Sequence, residues 1–412
     1  MSNHARKTAV FAGVLLGLAL LIQANPEERP LVIRGGKIFT VTRGILENGL
    51  IIISGEKIRA VGKDLAIPPD ARVIDASQDC VFPGFFDAGT NLGTVEIESF
   101  EEDYDESAVP LTPQLRIIDS IDPENRFIAA ALRQGVTSAL IAPGRGNVLS
   151  GQSAVLHLYG GDLEKMTLRS PAAVHGSLGD AIKPRSKRSG AYPYTRMGVA
   201  AALRQSLVDA GASLARLQRP DSEKKEEDPA IRALIPVIKG EIPLVITANR
   251  FDDIMTALRI AAEFKIRLVI NEGADAHRAA AELAAQRVPV ILRTNTAYRL
   301  TVETLGAVAE NADRLERAGV QIAFQSGSTQ DAGNFWPQVH LAVTSGLAPE
   351  AALRALTINP AVIFGLADLV GSIEPGKSAD IAIFPANPIL AVVPAKWVIV
   401  GGKIAYGKES SR

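Results

Sequence analysis

Hydrophobic positions fall into two textures along the chain. From Leu31 to Asp64, the sequence LVIRGGKIFTVTRGILENGLIIISGEKIRAVGKD sets runs rich in valine and isoleucine against breaks at Gly35-Gly36 and Gly55-Glu56. That pattern predicts short antiparallel strands joined by turns. The segment from Ala379 to Lys408, ADIAIFPANPILAVVPAKWVIVGGKIAYGK, repeats it. Two strand-rich ends around a different middle predict one small β-sandwich-like domain assembled from residues 30–80 and 368–408.

Between residues 81 and 367 the pattern becomes strand followed by helix. Thr137–Ala142 follows a helical run from Asn125 to Arg133, and Pro243–Ala248 precedes FDDIMTALRIAAEF. Ile266–Asn271 precedes DAHRAAAELAAQ, Val288–Leu292 comes next, and Gln321–Ser326 follows a helical run ending near Ala318. Apolar strands spaced by amphipathic helices predict an α/β fold with a parallel sheet and helices outside. The number of units favours a closed (β/α)8 TIM-like barrel over an open sheet, which directs attention to the C-terminal strand ends, where barrels keep their chemistry. Arg219–Pro229, RPDSEKKEEDP, reads as a solvated loop after a long helix that begins near Met197.

Composition narrows the class. The 412 residues are 47% hydrophobic and 22% charged, as in folded globular proteins. A formal net charge of -1 with no sustained basic block disfavours a nucleic-acid surface. A single cysteine, Cys80, excludes an internal disulfide framework and any metal site built on several thiolates. Residues 1–24 place Arg6 and Lys7 before an apolar stretch, Ala9 to Ile22, that is short for a span of about 20 residues. The expectation is an export signal ending at Ala24, with an uncleaved membrane tether as the alternative and a periplasmic or other extracytoplasmic location.

Four passages carry a family likeness: VFPGFFDAGTNLG (Val81 to Gly93), ALRQGVTSALIAPGRGNVLSGQSAVLHLYG (Ala131 to Gly160), TRMGVAAALRQSL (Thr195 to Leu207) and LTINPAVIFGLADLVGSIEPGKSADIAIF (Leu356 to Phe384). Together they resemble the metal-dependent amidohydrolase superfamily, in particular its imidazolonepropionase-related branch. The resemblance runs from about Leu31 to Lys408. It implies hydrolysis of cyclic amides, dipeptides and related C–N bonds by metal-activated water. It also implies histidines at alternate positions of the first barrel strand, because residues two apart on a strand share a face. Here those two positions are Gly89 and Asn91. The strand that resembles one ending in histidine ends in Thr247 and Asn249, and the next carries Asn271 and Glu272. Gly327 stands where the eighth-strand aspartate is implied. Lys183 is the conceivable carbamate bridge.

The five histidines do not rebuild a centre. His4 lies in the leader; His157, His277 and His340 read as structural or surface imidazoles. His175 differs, since AAVHGSLGD can place it at a strand end facing the barrel mouth. With Glu272 it is the weak catalytic candidate. The acids Glu96, Glu98, Glu101, Glu102, Asp103, Asp105 and Glu106 read as a solvated loop, with a weak hard-cation site or the binding of a basic ligand or partner as the alternatives. Glu272 with Glu96 or Glu98 also offers metal-free acid–base work, if the groups converge. Ser150, Gln152, Ser153 and Arg196 are candidate ligand contacts. The segment Ile182–Arg196, with Tyr192 and Tyr194, reads as a mobile loop or an anion-facing one.

The expectation is therefore an exported amidohydrolase-fold protein with a degenerate metal centre, noncatalytic, that serves as a binding or partner subunit. No cofactor is expected. Self-association, or a heteromer with an active relative, is. The alternative is a hydrolase of non-peptide C–N bonds through an atypical centre, which would bring zinc or another divalent metal.

Overall fold

The computed structural model describes residues 29–95, 103–106, 109–179, 182, 190, 192–219, 227–293, 301–328 and 335–407. The leader, Lys183, and Glu96, Glu98, Glu101 and Glu102 of the acidic cluster lie outside the described residues.

The N-terminal segment forms β1 (Leu31–Phe39), β2 (Ile45–Ser54), β3 (Lys57–Gly62) and β4 (Arg72–Pro83). Eight strands of a near-closed barrel follow: β5 (Phe85–Thr90), β6 (Val136–Ile141), β7 (Leu149–His157), β8 (Thr167–Ser177), β9 (Leu244–Ala248), β10 (Leu268–Glu272), β11 (Val290–Leu292) and β12 (Ile322–Phe324). The chain then returns through β13 (Ile381–Phe384), β14 (Trp397–Val400) and β15 (Lys403–Tyr406) to complete a seven-stranded sheet ordered β15-β14-β13-β4-β1-β2-β3. The mixed α/β architecture expected from the sequence is thus present, with a second sheet built from both chain ends.

One strand departs from the parallel pattern. β7 runs antiparallel to both β6 and β8, so this part of the wall is built from consecutive antiparallel neighbours rather than helical crossovers. The run from Leu149 to Val155 and the glycine-rich turn before it explain the exception, since antiparallel neighbours need only a short connection. The loop Arg219–Pro229 is likewise not solvated throughout. Glu227 is buried, accepts a 2.5 Å hydrogen bond from Ser213 and pairs with Arg216.

Strands β9, β10 and β11 are buried at every position because both faces are covered. Leu244, Ile246, Leu268, Ile270, Val290, Leu292, Ile322 and Phe324 pack among the helices. Their neighbours Val245, Val269, Ile291 and Ala323 join Phe86, Leu140, Val155 and Ala173 in a separate cluster that fills the barrel interior. This strict alternation fixes which residues reach the mouth.

Barrel and sheet are joined by aromatic rings and one buried ion pair. Phe82 stacks on Phe39 at 4.3 Å between centroids and contacts Phe85 and Phe384, while Trp336 meets Phe85 edge-on at 4.9 Å. His157 of β7 places Nε2 2.9 Å from Asp380 Oδ2, just before β13. Burial alone would depress the imidazole pKa, but the Asp380 carboxylate overrides it and the net direction is upward. A histidine whose pKa is raised on folding adds stability that is complete below its unfolded value, ordinarily 6.5, and that disappears as pH rises through the folded value. Urea midpoints should therefore fall as pH is raised above about 6.5, and His157→Gln should flatten that decline. Equal slopes in both proteins would show that the pair does not couple the two sheets.

Candidate functional site

The interior row continues out of the barrel with period two. Two residues beyond interior Ala173, Val245, Val269, Ile291 and Ala323 stand His175, Thr247, Asn271, Arg293 and Gln325. All five line a cavity of about 250 Å³, together with Gly89, Asn91, Arg145 and Gly327 from other strand ends and loops. Of the positions singled out in the sequence, Gly89, Asn91, His175, Thr247 and Gly327 line it, whereas Asn249 and Glu272 do not. At β10, Asn271, not Glu272, occupies the inward position.

Glu272 sits beside this row in an unusual backbone state. Its φ of +69° lies in the left-handed region, which costs a side-chain-bearing residue roughly 1–2 kcal/mol. Its carboxylate is fixed by an ion pair with Arg145 and a 2.7 Å hydrogen bond donated by Asn249 Nδ2. Asn249 also accepts from the Ala274 N–H, so the turn after β10 is tied to the end of β9.

The inward row is knitted by neutral groups. Gln325 Nε2 donates to Asn271 Oδ1 at 2.7 Å, and Asn271 Nδ2 donates to Thr247 Oγ1 at 2.9 Å. Gln325 also fills the space over Gly89, where an added Cβ would lie 2.5 Å from Gln325 Oε1. Gly327, with φ +76°, is covered by Arg293: a Cβ there would lie 2.8 Å from both Arg293 Cδ and Nε. The two glycines at expected ligand positions are therefore spaces that neighbouring strand ends occupy.

Below the mouth, Asp87 accepts from the Ser326 N–H at 2.9 Å and the Gly89 N–H at 3.2 Å. The Gly327 N–H donates to Gly89 O at 2.8 Å, which joins the first and last barrel strands. Burial raises the Asp87 pKa to about 6 against the opposing effects of those hydrogen bonds and of nearby Arg293. His175 is only 7% exposed, and burial depresses its pKa to about 3, so it is a neutral imidazole. Its Nε2 has no hydrogen-bond partner among the described residues. Such an atom costs roughly 1–3 kcal/mol while it lacks a partner.

These groups do not fit a catalytic divalent ion. Among the described residues no three His, Cys, Asp or Glu side chains converge. Gly89 and Gly327 supply no ligand atom, Asn91, Thr247 and Asn271 offer neutral groups, and a guanidinium adjoins the place where cationic charge is expected.

The other sequence candidates lie elsewhere. Ser150 lines a separate cleft with Asp103, Asp105 and Glu106; Gln152 donates to Pro113 O and Ser153 to Ala173 O. None of the three lines the mouth cavity, because β7 turns antiparallel and carries them along the wall. Arg196 pairs with Asp252 and Asp253. His340 bonds Pro388 O at 2.7 Å, and His277 lies in a short 3-10 turn, Ala276–Ala279. Arg145, Arg293, Gln325 and Asp87 were not singled out in the sequence. An arginine directly after the buried run Val290–Leu292 was the available signal, since a charge at a barrel strand's C-terminal end belongs to the mouth.

The amidohydrolase family pattern matches residues 247–405. The solved amidohydrolase from Thermotoga maritima MSB8 is 30% identical and superposes over 92% of this chain and 100% of its own, with a TM-score of 0.87. With that coverage and identity, the chain belongs to the amidohydrolase family. Among curated relatives, adenine deaminase 1 of Latilactobacillus sakei subsp. sakei (strain 23K) is 23% identical over 380 residues, 88% of this chain and 56% of the relative. The imidazolonepropionase of Geobacillus kaustophilus (strain HTA426) is 35% identical over 127 residues, 28% of either chain. The chain spans about half the length of the deaminases that it matches over most of its own sequence.

Two substitutions test the site's construction. Gly89→His should lower stability by roughly 1–3 kcal/mol through overpacking against Gln325, and adding Gln325→Ala should recover part of it; additive urea-denaturation losses would contradict the filled-space reading. Asp87→Asn tests the buried carboxylate. Between about pH 4 and 6 the folded state retains a proton that the unfolded chain releases, so Asp87 makes stability fall as pH rises through that window. The loss is on the order of 3 kcal/mol. His175 acts with the opposite sign from its ordinary 6.5 down to about 3, so the readout is the difference between wild type and Asp87→Asn, which should change across pH 4 to 6. A constant difference would show that Asp87 does not titrate there.

Proposed function

We propose that this chain is an exported, noncatalytic amidohydrolase-fold protein that acts as a binding or partner subunit, self-associated or in a heteromer with an active relative. The observation that carries the reading is the filling of both glycine positions, Gly89 by Gln325 and Gly327 by Arg293. The space that ligand side chains at these two positions would need is held by a hydrogen-bonded amide and a guanidinium, beside the open cavity. Export rests on the leader sequence, and the imidazolonepropionase-related branch rests on a 127-residue likeness. Preservation of the scaffold around a rebuilt mouth favours binding over turnover, since a fold by itself does not specify chemistry.

A second reading has one observation in its favour. The strained, buried Glu272 with Arg145 and Asn249 is the kind of fixed carboxylate an acid–base hydrolase of non-peptide C–N bonds uses. Elemental mass spectrometry of protein purified without chelator from its native compartment separates the readings. The proposal expects sub-stoichiometric zinc, manganese and iron, together with no hydrolysis of cyclic-amide or dipeptide substrates. Near-stoichiometric metal, or turnover by the unmodified protein that Glu272→Gln abolishes, would overturn it.

A further inference from the structure

The mouth carries cationic side chains where a metal centre is expected. Arg145 and Arg293 both line the cavity, and no aspartate or glutamate is among its described lining residues. Among the described residues, neighbouring carboxylates face other groups: Glu272 holds Arg145 and Asn249 at the rim, and Asp87 lies beneath, on the Gly89 and Ser326 N–H groups. Asp105 packs against Gly144 beside the entrance. Arg293 is only 5% exposed, at the end of a buried strand. A guanidinium presents five N–H donors in one plane, and its fork matches a carboxylate.

The remaining lining is built for hydrogen bonding rather than apolar packing. Asn91, Thr247, Asn271 and Gln325 contribute neutral amide and hydroxyl groups. Across the cavity from β11, His175 of β8 supplies the buried Nε2 that has no partner among the described residues. The space, about 250 Å³, equals roughly eight waters at about 30 Å³ each, the scale of a single amino-acid-sized compound.

We infer that Arg293 is the resident cation of this mouth in the metal's stead, and that the cavity takes a small compound whose carboxylate meets Arg293 and whose second hydrogen-bonding group meets His175. The inference rests on the noncatalytic reading above and deepens it by naming the ligand class. Binding is noncovalent and needs no co-reactant.

The test uses the full-length protein and three matched pairs of probes: N-acetylglycine, benzoate and glutarate, each against its neutral amide, with inorganic phosphate as a further arm. Isothermal titration and thermal unfolding should show at least one carboxylate bound at least about tenfold more tightly than its amide and than phosphate. Arg293→Gln should abolish that preference, Arg293→Lys should retain part of it, and His175→Phe should weaken a bound carboxylate while leaving the preference for charge. The comparison of acid with amide on the unmodified protein needs no variant, so misfolding of a variant does not remove the test. Binding by no carboxylate, equal binding of acids and amides, or tighter binding of phosphate would each overturn the inference. Metal content measured on the same sample separates the two failures. Stoichiometric metal removes the reading beneath, whereas metal-free protein without a carboxylate preference removes this inference alone.

Discussion

The first and last strands of the barrel meet across one buried carboxylate. Asp87 accepts the N–H groups of Gly89 and Ser326, and the Gly327 N–H returns to Gly89 O. This set of bonds fixes where Gly89, Gln325 and Gly327 lie relative to one another, and hence the shape of the mouth. Desolvation makes the arrangement expensive when Asp87 is ionised, and the field of Arg293 above it partly offsets that cost. Arg293 therefore serves two ends: it fills the space over Gly327 and stabilises the charge that ties the barrel shut.

A divalent ion holds strand ends together by attracting several ligands to one point. In this chain the same mechanical task falls to directional neutral bonds. Thr247, Asn271 and Gln325 join β9, β10 and β12 in series, while Glu272, Asn249 and Arg145 brace the rim. Each bond is individually modest, on the order of 1 kcal/mol. Their value lies in meeting buried polar groups at the strand ends; the buried His175 Nε2 has no partner among the described residues. The scaffold thus preserves a shaped and charged mouth without the ligand set of hydrolytic metal chemistry.

Much of this was legible in the sequence. Apolar runs at Pro243–Ala248 and Ile266–Asn271 mark the strands found at Leu244–Ala248 and Leu268–Glu272, and the valine- and isoleucine-rich ends mark the second sheet, because burial on two faces and on one face leave different periodicities. The loss at Gly89, Asn91 and Gly327 was equally visible from residue type alone. What filled the gaps was not. Gln325 and Arg293 reach their glycines across neighbouring strands, and only the pairing register brings β11 beside β12 and β12 back to β5. Residue type alone marks both Asn271 and Glu272 at this strand end, with Glu272 as the weak catalytic candidate. The two-residue period from Val269 points to Asn271, and the left-handed turn that returns the Glu272 carboxylate to the rim has no local signature. The antiparallel course of β7 was hidden for a similar reason, since apolar runs do not encode strand direction.

The central claim is that an amide and a guanidinium occupy the side-chain spaces over Gly89 and Gly327, where metal ligands are expected. Anomalous diffraction at the zinc edge, from crystals of protein incubated with excess zinc, tests it at the atoms concerned. The account predicts Arg293 packed over Gly327, Gln325 over Gly89, and no anomalous density within the mouth. A zinc peak among Asn91, Asn271 and His175, with Arg293 swung away, would contradict it.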